Sequence, residues 1–212
     1  MSGDRKSKEF MLIADVQIVR KIVLVIAILI GILLFALTDA RLQSGTFAYE
    51  MIKWSGIVAI VVCILGRTWC SLYISGRKIE QFVTVGPYSV SRNPLYFFSI
   101  LGAAGAGAQL GSVLSCVFFG LLAWIVFYVV ILQEERLMAE RYGAEYAAYL
   151  ASVPRLLPNP RLWRDLPTLT VMPPKVLRTF ADAMLFLLVV PLAEGLGRLQ
   201  DIGVLPVLLR LP

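Results

Sequence analysis

The chain has 212 residues, 58% of them hydrophobic and only 16% charged, with a net charge of +6 and a mean hydropathy of +0.78. A soluble domain carries about 45–50% apolar and about 25% charged residues, so this composition excludes disorder and argues against a soluble fold. Histidine is absent, which removes His-ligated metal sites, Ser-His and Cys-His nucleophile pairs and any imidazole acid or base.

Five apolar stretches follow one another, each near the roughly 20 residues that span a bilayer. A polar leader, residues 1–21, precedes the first, Ile22–Thr38. This span is expected to be retained, because Asp39 directly before Ala40 spoils the one small-residue cleavage pattern. Trp54–Tyr73 is the second span, and Arg67 interrupts it. A charge at that depth either faces the bundle interior with a task or a partner, or snorkels to an interface that Trp69 would mark. A polar stretch punctuated by Gly and Pro, Gly76–Pro94, leads to Leu95–Leu110 and Val113–Gln133. Only Gly111 and Ser112 separate these two spans, which forces an antiparallel helical hairpin. The run of Gly and Ala from Leu101 to Ala108 allows close approach of another helix or of a bound cofactor. From Glu134 to Pro160 acids and Arg alternate with Tyr142, Tyr146 and Tyr149. Their spacing of four and three puts them on one face of an amphipathic helix, resting on the membrane or folded back onto the bundle. Leu162–Pro174 reads as a loop and Phe180–Leu196 as a last span. Cys63, Cys70 and Cys116 read as small core residues rather than as a disulfide framework.

Fifteen of the twenty Lys and Arg residues fall in 1–21, 76–94 and 134–179, all on one side of a five-span arrangement. The positive-inside rule makes that side cytoplasmic and places the N-terminus there. The basic excess is a topology signal, and no nucleic-acid partner is expected. The fold expectation is therefore all-α: a polytopic membrane bundle of about five helices, forming a single integral membrane domain over residues 1–212.

Chemistry concentrates in two segments. Val83–Tyr96 carries a Gly86-Pro87 turn, the planar guanidinium of Arg92 suited to a carboxylate, and Asn93-Pro94 in position to cap the next helix. Glu134-Glu135 sits where the fourth span ends, and the tight hairpin returns that end to the level of Arg92–Tyr96. Acids at a helix C-terminus oppose its dipole, so they call for a compensating partner such as Arg92 or a cationic ligand.

Gly86-Pro87-Tyr88, Arg92-Asn93-Pro94, Tyr96, the hairpin, Glu134-Glu135, Tyr142-Gly143, Glu145-Tyr146, Tyr149 and Val153-Pro154-Arg155 form an ordered set. Together they resemble the isoprenylcysteine carboxyl methyltransferase and phospholipid methyltransferase group over about residues 66–158. The loop and hydrophobic helix of 161–212 lie outside this methyltransferase-like core. The resemblance implies an integral membrane enzyme using S-adenosylmethionine at a cytoplasmic-side pocket, with membrane lipids around it and a hydrophobic methyl acceptor. It implies cofactor contacts from Gln81, Phe82, Val83, Tyr88, Asn93, Pro94, Leu95, Tyr96 and Glu134; Arg92 joins that set through its own chemistry, and a bacterial inner-membrane location is expected. The resemblance assigns no catalytic residue; an amine or hydroxyl acceptor would need a base, for which Glu80, Glu134 and Glu135 are the candidates. Asn93 stands where the group usually has His, Phe98 where Gly is common, and Val130 where the eukaryotic enzymes have an Arg tied to the prenylcysteine substrate. The alternatives are an NADPH-dependent reductase like the membrane sterol reductases, which would show Asn at Leu95 and an acid near Phe97-Phe98, and a non-catalytic membrane accessory protein.

Overall fold

Helices dominate the structure, a computed structural model that describes residues 31, 33, 37–40, 45–75 and 82–211. Most of the expected first span Ile22–Thr38 lies outside the described residues, as do Glu80 and Gln81. In chain order the elements are a short strand β1 (Thr38–Ala40), α1 (Phe47–Ser75), α2 (Pro87–Val90), α3 (Pro94–Ala108) and α4 (Val113–Ser152). A 3-10 turn (Pro160–Leu162) then precedes α5 (Pro173–Met184). Helix α5 continues through another 3-10 turn (Leu185–Leu188) into α6 (Val189–Asp201), and β2 (Leu209–Leu211) ends the chain. Strands β1 and β2 pair in parallel, Thr38 opposite Leu209, a small addition to the all-α expectation.

Helix α1, helix α4 and the continuous stretch Pro173–Asp201 are each long and apolar enough to cross a membrane, and α3 is a shorter apolar helix. On α4, Leu114, Phe118, Leu121, Ile125, Val129 and Leu132 recur every three or four residues and are all exposed. A helix in water buries such a stripe; here it is the lipid-facing surface of an integral membrane protein. The opposite faces make the core. A Cβ on Gly105 of α3 would stand 2.6 Å from the Gly56 carbonyl of α1, and one on Gly102 would stand 2.5 Å from Cys63 Sγ. The Gly and Ala run of α3 is therefore used for helix packing. Helix α5 closes over α1, with Ala183 buried beside Ile60 and Ile64, and Lys53 of α1 is ion-paired with Glu194 of α6.

Three expected boundaries change. Helix α1 begins at Phe47 rather than Trp54, because Tyr49, Glu50 and Lys53 stay helical and Glu50 in the first turn complements the dipole. The amphipathic helix expected beyond Gln133 is present, but nothing separates it from α4 until a kink. It continues α4 to Ser152 and is redirected at Gly143, whose φ of 53° breaks the helical path. The last span is longer than Phe180–Leu196 and starts at Pro173, since Pro is tolerated in a first turn.

Candidate functional site

The candidate site forms where α1 ends, α3 begins and α4 leaves its apolar stretch. Gly86 turns the chain into α2 with φ +59° and ψ −134°. A Cβ there would lie 2.1 Å from the Tyr73 ring, so this position accepts only glycine. Pro87 starts α2 at a position where its missing N–H is not needed. Tyr149, from the redirected end of α4, donates its hydroxyl to the Tyr88 carbonyl at 2.6 Å and so pins α2 from the other side.

Asn93 occupies the N-cap of α3, but its side chain does not cap the helix. Its carbonyl accepts from the Tyr96 and Phe97 amides at 3.1 and 3.2 Å. Its amide nitrogen is drawn elsewhere, donating to Glu135 Oε1 at 3.3 Å and to the Arg155 carbonyl at 3.0 Å.

Glu135 is the junction of the site. It is buried, with Arg92 Nε 3.1 Å from Oε1 and Arg155 Nε donating to Oε2 at 3.0 Å. The Arg92 contact is an ion pair whose N–H is not aligned as a hydrogen bond. Arg92 also donates through Nη1 to the Leu150 carbonyl at 2.7 Å, and Arg155 donates through Nη1 to the Tyr128 hydroxyl at 3.0 Å. The Arg92 guanidinium therefore meets a carboxylate from its own chain. The neighbouring acid does something different: Glu134 Oε1 accepts from the Tyr96 hydroxyl at 2.8 Å, and the Tyr96 ring lies against Phe127 with centroids 5.1 Å apart.

Phe82 is cupped by Tyr142, Tyr146 and Tyr149, with ring centroids 5.0, 5.5 and 5.5 Å away. The expected single face of tyrosines thus exists, although Gly143 interrupts the helix between them. Burial pushes the Tyr146 phenol up to about 12, with the Glu135 charge adding to it, and burial also raises that of Tyr149. The Tyr88 hydroxyl is buried and has no hydrogen-bond partner among the described residues. Burial holds it well above the usual phenol range, reinforced by Cys70, Tyr149, Tyr96 and Glu134. It stays protonated and keeps a donor to offer.

Val83, Pro94 and Leu95 lie in the first of the two segments, Pro94 buried and Val83 and Leu95 partly so. Phe98, where a Gly was expected, lies flat against Gly66 of α1; a Cβ on that glycine would be 2.3 Å from the ring. Val130 is buried at 3% exposure.

Two contributions have little or no signal in the sequence. Tyr128 is one aromatic among many in an apolar helix. The strap of residues 163–165 crosses back over the turn: the Gly86 amide donates to the Arg164 carbonyl at 2.6 Å, and the Arg164 amide donates to Ser89 Oγ at 3.0 Å. Tyr73 donates to Asp165 at 3.1 Å, and Trp163 stacks on Trp69 with centroids 5.5 Å apart. Of these residues only Trp69 stands out in the sequence, as the mark of an interface.

A family model described as phospholipid methyltransferase matches residues 26–145. The chain is 35% identical over 161 residues to the cobalt-zinc-cadmium resistance protein CzcN of Cupriavidus metallidurans, covering 76% of this chain and 74% of that protein. It is 31% identical to the nickel-cobalt-cadmium resistance protein NccN of Alcaligenes xylosoxydans, covering 76% and 75%. Over 94 residues it is 28% identical to protein-S-isoprenylcysteine O-methyltransferase B of Arabidopsis thaliana, covering 44% and 48%. No solved structure matches the chain.

Proposed function

This chain belongs to the phospholipid methyltransferase family, and on that premise we propose that it is a membrane-embedded, S-adenosylmethionine-dependent methyltransferase acting on a lipid or other hydrophobic carboxylate or amine. The observation that carries this reading is the union of two segments about forty residues apart, with Tyr96 bonded to Glu134 and Asn93 bonded to Glu135.

The residues present suit such a cofactor. The buried Tyr88 hydroxyl without a partner matches a ligand rich in acceptors, and the Glu134 carboxylate beside the Tyr96 and Phe127 rings matches one with a positive charge. We assign direct contacts to Phe82, Val83, Tyr88, Pro94, Leu95, Tyr96 and Glu134, with Gln81 a further candidate outside the described residues. Arg92 and Asn93 act through Glu135 as positioning residues. S-adenosylmethionine supplies, when bound, a methyl group already activated on a sulfonium sulfur. What remains for the chain is to orient the acceptor and exclude water. A carboxylate acceptor carries its own lone pair and needs no base. An amine would hand its proton to Glu134 or Glu135.

We place the site at the cytoplasmic ends of the helices in a bacterial inner membrane, where a water-soluble cofactor and a lipid acceptor reach it from different phases. The metal-resistance names of the two bacterial relatives fit a role exerted through the methylated product, since a chain with no histidine offers metals no imidazole. Calorimetric titration of the detergent-solubilised chain with S-adenosylmethionine tests the reading. Binding is expected for the wild type and is expected to vanish in Tyr96→Ala and Glu134→Ala, with helical circular dichroism unchanged. Unaltered affinity in both variants removes the site assignment. Incubating membranes with methyl-labelled S-adenosylmethionine then identifies the acceptor by its label.

A further inference from the structure

Arg67 is a cation that the residues described so far leave without a counter-charge. It lies eight residues before the end of α1 at Ser75, about 12 Å along the helix axis. Its Nη1 donates to Ser99 Oγ of α3, so the side chain reaches inward rather than snorkelling to the surface. Ser99 in turn donates a hydrogen bond from its hydroxyl to the Leu95 carbonyl at 2.7 Å. Among the described residues Arg67 Nε, itself buried, has no hydrogen-bond partner, and no carboxylate is ion-paired to this residue. Of the two nearby acids, Glu135 is shared by Arg92 and Arg155 and Glu134 accepts from Tyr96.

The position is informative. Ser99 follows Tyr96 by three residues in α3, one turn farther from the end that holds Glu134, on the same side of the helix. At that level α4 presents Val130 and Ile131, both almost fully buried and apolar. Cys70, one turn along α1 from Arg67, is among the groups that act on the Tyr88 phenol. Among the described residues two buried donors, Arg67 Nε and the Tyr88 hydroxyl, lack acceptors, and Arg67 stands on the membrane-ward side. A half-buried guanidinium with one buried donor left open calls for an anion at membrane depth.

We propose that Arg67 anchors an anionic oxygen group, a carboxylate or phosphate, on the methyl acceptor, so that the acceptor is an acidic amphiphile whose tail lies in the bilayer. The proposal rests on the methyltransferase reading and adds the acceptor's charge to it.

The test titrates the full chain in nanodiscs with oleate, oleyl phosphate and uncharged methyl oleate, and separately with S-adenosylmethionine. The wild type is expected to prefer one or both anions over methyl oleate by about tenfold to a hundredfold, the range of a hydrogen bond to a charged group. Arg67→Gln erases that preference and leaves S-adenosylmethionine affinity within about twofold, while Arg67→Lys keeps part of it. Equal wild-type affinity for all three probes overturns the proposal, as does a preference that survives in Arg67→Gln. Loss of S-adenosylmethionine affinity with the oleate preference intact assigns the anion to the cofactor and also overturns it. A wild type that prefers oleate but binds no S-adenosylmethionine sinks the methyltransferase reading and leaves the anion site standing. Should Arg67→Gln not fold, Arg67→Lys carries the comparison alone: an oleate preference undiminished in it overturns the proposal, since a compact ammonium does not reproduce the planar guanidinium contact.

Discussion

Adjacent acids on one helix are about 100° apart around its axis, and in this site that angle separates two jobs. Glu135 turns inward and holds Arg92, Asn93 and Arg155 together; Glu134 faces Tyr96. Removing a buried carboxylate that serves two guanidinium groups leaves both uncompensated, at a cost of about 3 kcal/mol. Glu135→Ala is therefore expected to lower unfolding stability in detergent by about that amount, while Glu134→Ala costs less than about 1 kcal/mol yet removes cofactor binding. Denaturant titration of both variants beside a binding assay checks this split; equal destabilisation would contradict it. The sequence made the pairing of the acid pair with the Arg92 turn legible through the hairpin alone. It left open which acid does what, because that depends on the rotation of α4 and on Arg155 arriving after the Gly143 break.

At the scale of elements, the turn at Gly86 and the redirected end of α4 carry most of the site's order. Gly86→Ala meets both a left-handed backbone and the Tyr73 ring, so it is expected to destabilise by about 1–3 kcal/mol or more. A thermal melt in detergent measures it. The end of α4 makes a pH prediction. Tyr146 titrates near 10 unfolded and near 12 folded, so between those values the native state holds a proton that the unfolded state has lost. Stability is consequently insensitive to this group below about pH 10 and falls above it, by at most about 1.4 kcal/mol per pH unit. Tyr146→Phe should flatten that decline in alkaline denaturation curves. The Gly-Pro turn and the tyrosine face were readable from spacing. The strap at 163–165 was not, since its main bonds are backbone amides and carbonyls of residues with no periodic pattern.

For the whole molecule, composition and charge placement fixed the class. The apolar runs located the helices, but their ends were blurred because polar residues such as Glu50 and Lys53 remain helical at a membrane interface. The same charges make an orientation testable. Phe47 and Leu157 are both strongly exposed, at 82% and 73%; Phe47 starts α1, whereas Leu157 lies beside the site at α1's other end. Of the native thiols, Cys63 and Cys70 are buried and Cys116 partly so, so a cysteine introduced at either exposed position reports mainly its own side. The proposed orientation, read from the basic residues concentrated in 134–179 of the sequence, puts the Leu157 side in the cytoplasm. A membrane-impermeant maleimide should then label Phe47→Cys in intact spheroplasts and Leu157→Cys only after permeabilisation, each measured as gain over the parent chain. The reverse pattern would turn Tyr96 and Glu134 away from the compartment that holds S-adenosylmethionine, and the enzyme reading would fail on topology however well the site binds the cofactor in detergent.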